Sequence, residues 1–145
     1  PVPGKTYIGC EGHGAMIRAG EESRPLRVTT STATPMRIVG SRSHRGASLD
    51  RFLARAGDHV MVPMGSSLKF CVIAEGGADV YPRLGPTSEW DTAAAQAVVE
   101  QAGGAVLELD GRPLEYNRKD DILNPHFLVH GPADRDWIAM LGGDR

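Results

Sequence analysis

The sequence predicts an α/β domain, a layered α-β-α sandwich, on three observations. Apolar runs of helical and strand-like spacing alternate through the middle of the chain as helix, strand, helix, strand, helix, strand. That order calls for a sheet with helices packed against it. Gly76-Gly77, Gly103-Gly104 and Asp110-Gly111 mark breaks between the runs. A length of 145 residues suits one domain able to bury about two-thirds of its unfolded surface. Residues 1–145 are therefore read as one unit, with a β-rich segment over 1–40 leading into an α/β core over 41–131.

The elements follow in order. Short β-like runs occupy 6–10, 15–18, 26–29 and 36–40, with Gly12, Gly14 and Gly20 as turns. Residues 30–35 are polar and form a loop. In 48–56, Leu49, Phe52, Leu53 and Ala56 recur at helical spacing. A strand returns over 59–64. Gly65-Ser66-Ser67 opens an apolar helix that runs to Glu75 and stops at Gly76-Gly77. Strand 78–84 comes next, then an Ala-rich helix from Asp91 to about Gln101. Runs 105–109 and 113–116 flank Asp110-Gly111, a hairpin-type turn. A last strand spans 127–130 and a short helix 134–141.

Composition excludes some classes of function. Hydrophobic residues make up 41% and charged residues 23%, ordinary for a globular protein. The net charge of −2 argues against general nucleic-acid affinity, although a local Arg/Lys cluster could still bind a small phosphorylated ligand. No apolar stretch approaches the roughly 20 residues of a membrane span. The start, Pro1-Val-Pro-Gly-Lys5, has neither an initiator Met nor signal-peptide regions, so a processed or cut end is expected. Cys10 and Cys71 lack any metal-ligand spacing and are read as inert, reduced thiols of a cytoplasmic protein.

The run Tyr81-Pro-Arg83 to Trp90-Asp91-Thr92-Ala93-Ala94 is the most informative part of the chain. Asp91 falls in the first turn of a helix beside a loop. A carboxylate there can hold a cation, and free backbone N–H groups nearby can meet an anion. The alternative is an Asp that caps the helix, worth roughly 0.5–2 kcal/mol. Ser66 and Lys69 stand three residues apart at a helix start, where both can face one ligand; a Ser cap with a solvated Lys is the other reading. Arg83 ends an apolar strand, where its guanidinium can fork onto a phosphate, stack on a base, or pair with Glu89. His44 follows Ser41-Arg42-Ser43 after a strand, a position open to ligand contact or plain exposure. His13, His59, His126 and His130 are scattered and read as structural or exposed. Gly12-His13-Gly14 lacks the later residues of a phosphate-cradling loop. Gly65-Ser66-Ser67-Leu68-Lys69 lacks the second Gly of a nucleophile elbow.

Taken in order, Tyr7 to Ala15, Ser41 to His44, Gly65 to Lys69, Tyr81 to Arg83, Trp90 to Ala94, Gly111 to Leu114 and Leu123-Asn124-Pro125 resemble the magnesium-dependent, lithium-sensitive phosphatases related to inositol monophosphatase. Within them the set is most similar to the 3'(2'),5'-bisphosphate nucleotidases, over nearly the whole chain. Ala95 stands where that motif usually continues with Gly.

The resemblance implies the C-terminal domain of that fold. It also implies metal-assisted hydrolysis of adenosine 3',5'-bisphosphate to AMP and phosphate, with 3'-phosphoadenosine 5'-phosphosulfate as a second substrate. On it, Asp91 is a Mg2+ ligand, while His44, Ser66, Lys69 and Arg83 hold the phosphorylated nucleotide. An inositol- or sugar-phosphate phosphatase, or a non-catalytic nucleotide-binding module, are the alternatives. The resemblance implies further metal ligands from an upstream Glu and an Asp-Pro-(Ile/Leu)-Asp-Gly-Thr motif, and Asp-Pro occurs nowhere in the sequence. Asp120-Asp121 reads as a solvated turn. The expected partner is an N-terminal half of the same enzyme, without which the chain is inactive. An uncovered apolar face would then favour self-association into a homo-oligomer.

Overall fold

The computed structural model describes residues 4–40 and 46–141. Among them, the first three strands form one small sheet: β1 (Lys5–Cys10), β2 (Gly14–Ala19) and β3 (Glu22–Leu26). All pair antiparallel, in the order β1-β2-β3. The third differs from expectation, since the strand lies over 22–26 and not 26–29. Gly20, at φ 62, turns the chain tightly enough for Glu22 to pair with Ala19. The ladder then takes the polar residues, Pro25 included, as Pro is tolerated on an edge strand. The apolar Val28 is left to pack, and its N–H donates to the Ala102 carbonyl at 3.0 Å.

A second, five-stranded sheet has the order β5-β4-β6-β8-β7. Its strands are β4 (Met36–Gly40), β5 (His59–Pro63), β6 (Val80–Arg83), β7 (Ala105–Glu108) and β8 (Phe127–His130). β4, β5 and β6 run parallel, and β8 is antiparallel to both β6 and β7. Helices α1 (Ala47–Ala56) and α2 (Leu68–Ala74) are the crossovers of the parallel part. α3 (Glu89–Gln101) and a short α4 (Trp137–Leu141) complete the set.

Period-two alternation sends neighbouring residues to opposite faces of this sheet. Ile38, Val80 and Leu128 pack under Phe52, Leu53, Trp137 and Leu141 of α1 and α4. Val39, Tyr81, Phe127 and Val129 pack with Phe70 and Ile73 of α2 and Val98 and Val99 of α3. The α-β-α layering is therefore as expected, and the small sheet adds a further layer over α3. β1 rests directly on that helix: a Cβ on Gly9 would stand 2.6 Å from the Ala97 carbonyl oxygen and 2.8 Å from Val98 Cα. On the outer face of the small sheet, Ile8 and Met16 are cross-strand partners and both exposed.

Two ends differ from the sequence reading. Residues 113–116 do not form a strand; a single bridge joins Leu107 to Pro113, because Pro has no N–H to extend the ladder. α4 begins at Trp137, one residue after Asp136, whose carboxylate accepts the Ala139 N–H at 2.9 Å.

A buried ion pair ties the start of β4 to β6. Asp79 is fully buried; Arg37 Nη2 donates to its Oδ1 at 2.7 Å, and the Arg37 backbone N–H to Oδ2 at 2.7 Å. No helix among the described residues is long and apolar enough to cross a membrane.

Candidate functional site

Parallel strands deliver the loops that follow them to one edge, the edge where open α/β sheets hold ligands. Here the chain leaving β5 supplies Ser66, Ser67, Lys69 and Phe70, and β6 with its exit supplies Tyr81, Arg83, Pro86 and Thr87. The first turn of α3 adds Asp91 and Thr92. These residues line one cleft of about 290 Å³. The structure thus brings together Ser66, Lys69, Arg83 and Asp91; His44 lies outside the described residues.

Lys69 is on the second position of α2 and only 7% exposed. Its ammonium lies 5.5 Å from the Tyr81 ring centroid and reaches the Ser66 carbonyl at 3.4 Å. Desolvation, followed by the charge of Arg83, lowers its pKa. It is not the solvated Lys of the alternative reading. Ser66 is not a helix cap either: it stands at φ 53, two residues before the helix, and its carbonyl also accepts the Lys69 N–H at 3.3 Å.

Arg83 donates through Nη2 to the Pro86 carbonyl at 2.8 Å, while its buried Nε has no hydrogen-bond partner among the described residues. The ion pair with Glu89 does not form. Glu89 instead meets the Lys119 ammonium at 3.4 Å and the Asn117 N–H at 3.0 Å. Lys69 and Arg83 are therefore two neighbouring cations, neither with a carboxylate partner among the described residues. Bringing like charges together in a partly desolvated cleft is costly unless an anion is placed between them.

Asp91 lies at the third position of α3 and is exposed. Its Oδ2 accepts the Ser88 backbone N–H at 3.2 Å, the reach-back arm of a capping box. Ion-ligand and capping chemistry are compatible here, since one oxygen serves the helix and Oδ1 is left for another partner. Two of the amides at this helix start are already engaged. The Glu89 N–H donates to Ile122 O and the Asp91 N–H to Ser88 O, each at 2.9 Å. The cations Lys69 and Arg83 are the other groups of the cleft that can meet an anion.

Magnesium needs about six oxygen ligands, with one or two carboxylates from the protein besides waters and phosphate. Among the described residues no group of three or more His, Cys, Asp or Glu converges to hold a metal. Asp91, half committed to its helix, does not make a magnesium site alone.

The sequence assigns no role at the cleft to Tyr81 and Thr92, which line it, or to Asn124 behind Thr92. Tyr81 is locked edge-on against Phe70 and Phe127, with centroids 5.7 and 6.2 Å away. Burial raises its pKa against the opposing charge of Arg83. Thr92 and Asn124 are buried, and Asn124 Nδ2 lies 2.9 Å from Thr92 Oγ1. Both belong to motifs carrying the family resemblance, but tertiary pairing is what makes them neighbours.

Residues 1–138 match the model of the inositol monophosphatase family. The 3'(2'),5'-bisphosphate nucleotidase CysQ of Escherichia coli (strain K12) is 42% identical over 129 residues, covering 89% of this chain and 51% of that protein. CysQ of Haemophilus influenzae is 32% identical over 143 residues, 97% of this chain and 53% of its own. Among solved structures, CysQ from Bacteroides thetaiotaomicron superposes with a TM-score of 0.77 at 35% identity, covering 88% of this chain and 54% of that one. An inositol monophosphatase from Zymomonas mobilis, at 14% identity and TM-score 0.71, shares the fold, over 94% of this chain and 53% of its own. The chain spans about half the length of the curated relatives it matches. With a family model matched over nearly its whole length, on this sheet and around this cleft, the chain belongs to the inositol monophosphatase family.

Proposed function

We propose that this chain is the nucleotide-holding part of a magnesium-dependent 3'(2'),5'-bisphosphate nucleotidase. The single observation that carries this reading is the pair of cations, Lys69 and Arg83, without carboxylate partners among the described residues, in a cleft that also contains Asp91. The names of the 42% and 32% identical relatives support the substrate class. Adenosine 3',5'-bisphosphate would place one phosphate between Lys69 and Arg83, with Ser66 at the rim. His44 is proposed as a further nucleotide contact. The bond broken is P–O3': water supplies the new oxygen on phosphorus, the electron pair leaves on the ribose oxygen, and a proton follows to give AMP. 3'-Phosphoadenosine 5'-phosphosulfate carries the same 3'-phosphate and is the second substrate proposed.

Asp91 is proposed as one magnesium ligand, the others coming from a polypeptide corresponding to the rest of the relatives' length. That polypeptide is the proposed partner, with pairing of two copies of this chain as the competing association. The compartment proposed is the cytoplasm.

The test is magnesium-dependent phosphate release from adenosine 3',5'-bisphosphate, with inositol 1-phosphate alongside, by this chain with and without the corresponding polypeptide. Turnover of the nucleotide only when both are present supports the proposal. A preference for inositol phosphate would replace it with the sister phosphatase activity. Absence of turnover by the combined pieces would leave a nucleotide-binding module.

A further inference from the structure

We infer that Asn124 is a positioning residue that sets the relation between Arg83 and Asp91, the two ends of the cleft. The argument rests on the cleft being the working site. It starts from a buried polar chain that crosses from the 114–124 segment to α3. Gln96 Nε2 donates to the Leu114 carbonyl at 2.9 Å, and the Tyr116 hydroxyl to Gln96 Oε1 at 2.7 Å. Tyr116 also lies 3.2 Å from Thr92 Oγ1. Asn124 ends the chain, its Nδ2 reaching Thr92 Oγ1 at 2.9 Å, Thr87 Oγ1 at 3.0 Å and the Ser88 carbonyl at 3.1 Å. Its backbone N–H donates to Thr87 O at 2.8 Å.

One carboxamide therefore holds both the loop before α3 and the first turn of the helix. That loop supplies the Pro86 carbonyl that holds the Arg83 guanidinium, and the Ser88 N–H that holds the Asp91 carboxylate. Among the described residues no hydrogen bond joins Asn124 to Arg83 or Asp91, so its action on them passes through residues 86–88. Asn124 is 7% exposed and its buried Oδ1 has no hydrogen-bond partner among the described residues. Burying an unmade acceptor is destabilising. The donors of its amide, and not its acceptor, are therefore what joins the segments.

The test is NMR of the labelled chain, following Arg83 Nε and the Asp91 carboxylate carbon in wild type and in Asn124→Ala. Both signals are expected to move, while Arg37 Nε, held by Asp79 at the other end of the parallel strands, stays. A folded Asn124→Ala with Arg83 and Asp91 unmoved would show a purely structural role and overturn the inference. Thr87→Val, which removes one acceptor and keeps the shape, should give smaller shifts in the same signals, and it decides the matter if Asn124→Ala does not fold.

Adenosine 3',5'-bisphosphate is the probe for the second readout. Asn124→Ala should weaken binding about tenfold, and the loss should vanish in an Arg83→Gln background, because coupled residues are not additive. Equal losses in both backgrounds would overturn the inference. If wild type does not bind the nucleotide, the reading of the cleft fails, and the NMR shifts decide the role of Asn124 by themselves.

Discussion

Replacing Lys69 with Met should make the protein more stable and a worse ligand for phosphate, two effects of opposite sign from one atom's charge. Lys69 is 7% exposed, has Arg83 as its charged neighbour and meets no carboxylate among the described residues. An isolated buried ion costs several kcal/mol in effective desolvation. Part of that is offset here. The Tyr81 face contributes about 0.5–1 kcal/mol and the Ser66 carbonyl, at 3.4 Å, less than a good hydrogen bond. The open mouth of the cleft also lets water reach the ammonium. A volume-conserving Met keeps the packing of the stem, so a net gain of about 1 kcal/mol is expected. That corresponds to about 4 °C in Tm for a chain of this size.

The pH dependence has a defined sign. Burial lowers the folded-state pKa of Lys69 below its unfolded value, so the unfolded chain binds more protons between the two. Stability therefore rises with pH as Lys69 titrates towards the ordinary Lys range, and this slope should be absent in Lys69→Met. Nucleotide affinity should fall by about 1.5–3 kcal/mol, roughly ten- to a hundredfold, for loss of a charged hydrogen bond. Thermal melts in phosphate-free buffer and calorimetric titration read both quantities. A Lys69→Met protein that is less stable and binds unchanged would refute the reasoning.

Three further outcomes are expected. Gly9→Ala should destabilise by about 1–3 kcal/mol in urea melts, because the new Cβ meets backbone atoms of Ala97 and Val98 that cannot swing away. Arg37→Ala should cost about 3–5 kcal/mol by stranding the fully buried Asp79, and Asp79→Asn in that background should recover part of it. Cys71, its thiol pushed up to about 11 chiefly by burial, should resist alkylation at neutral pH in the folded protein while the exposed Cys10 reacts, giving a single adduct by mass spectrometry.

The alternating core was legible because each element obeys its own period: Phe52, Leu53 and Ala56 mark one face of a helix, and Val80 and Tyr81 opposite faces of a strand. β3 was misplaced because hairpin pairing outbid side-chain polarity, and an apolar run at Val28 looks the same whether it pairs or packs. At the cleft, Ser66, Lys69, Arg83 and Asp91 stood out by residue type and neighbours, and they do share one cavity. What the sequence could not convey was their surroundings. That Lys69 is buried depends on the aromatic wall of Tyr81 and Phe70. That the Glu89 amide is already occupied depends on Ile122, a residue far along the chain. The Asn124 network joins residues 32 and 36 positions apart and has no local signature.

The central claim is that Lys69 and Arg83 together receive a phosphate of a phosphorylated nucleotide. Its most direct test is phosphorus NMR of adenosine 3',5'-bisphosphate titrated with this chain, beside Lys69→Met and Arg83→Gln. Saturable movement of a phosphate signal with wild type, and saturation only at roughly ten- to a hundredfold higher protein concentration with either variant, is the predicted result. A wild-type chain that leaves both phosphate signals unmoved, or variants that shift them as wild type does, would contradict it.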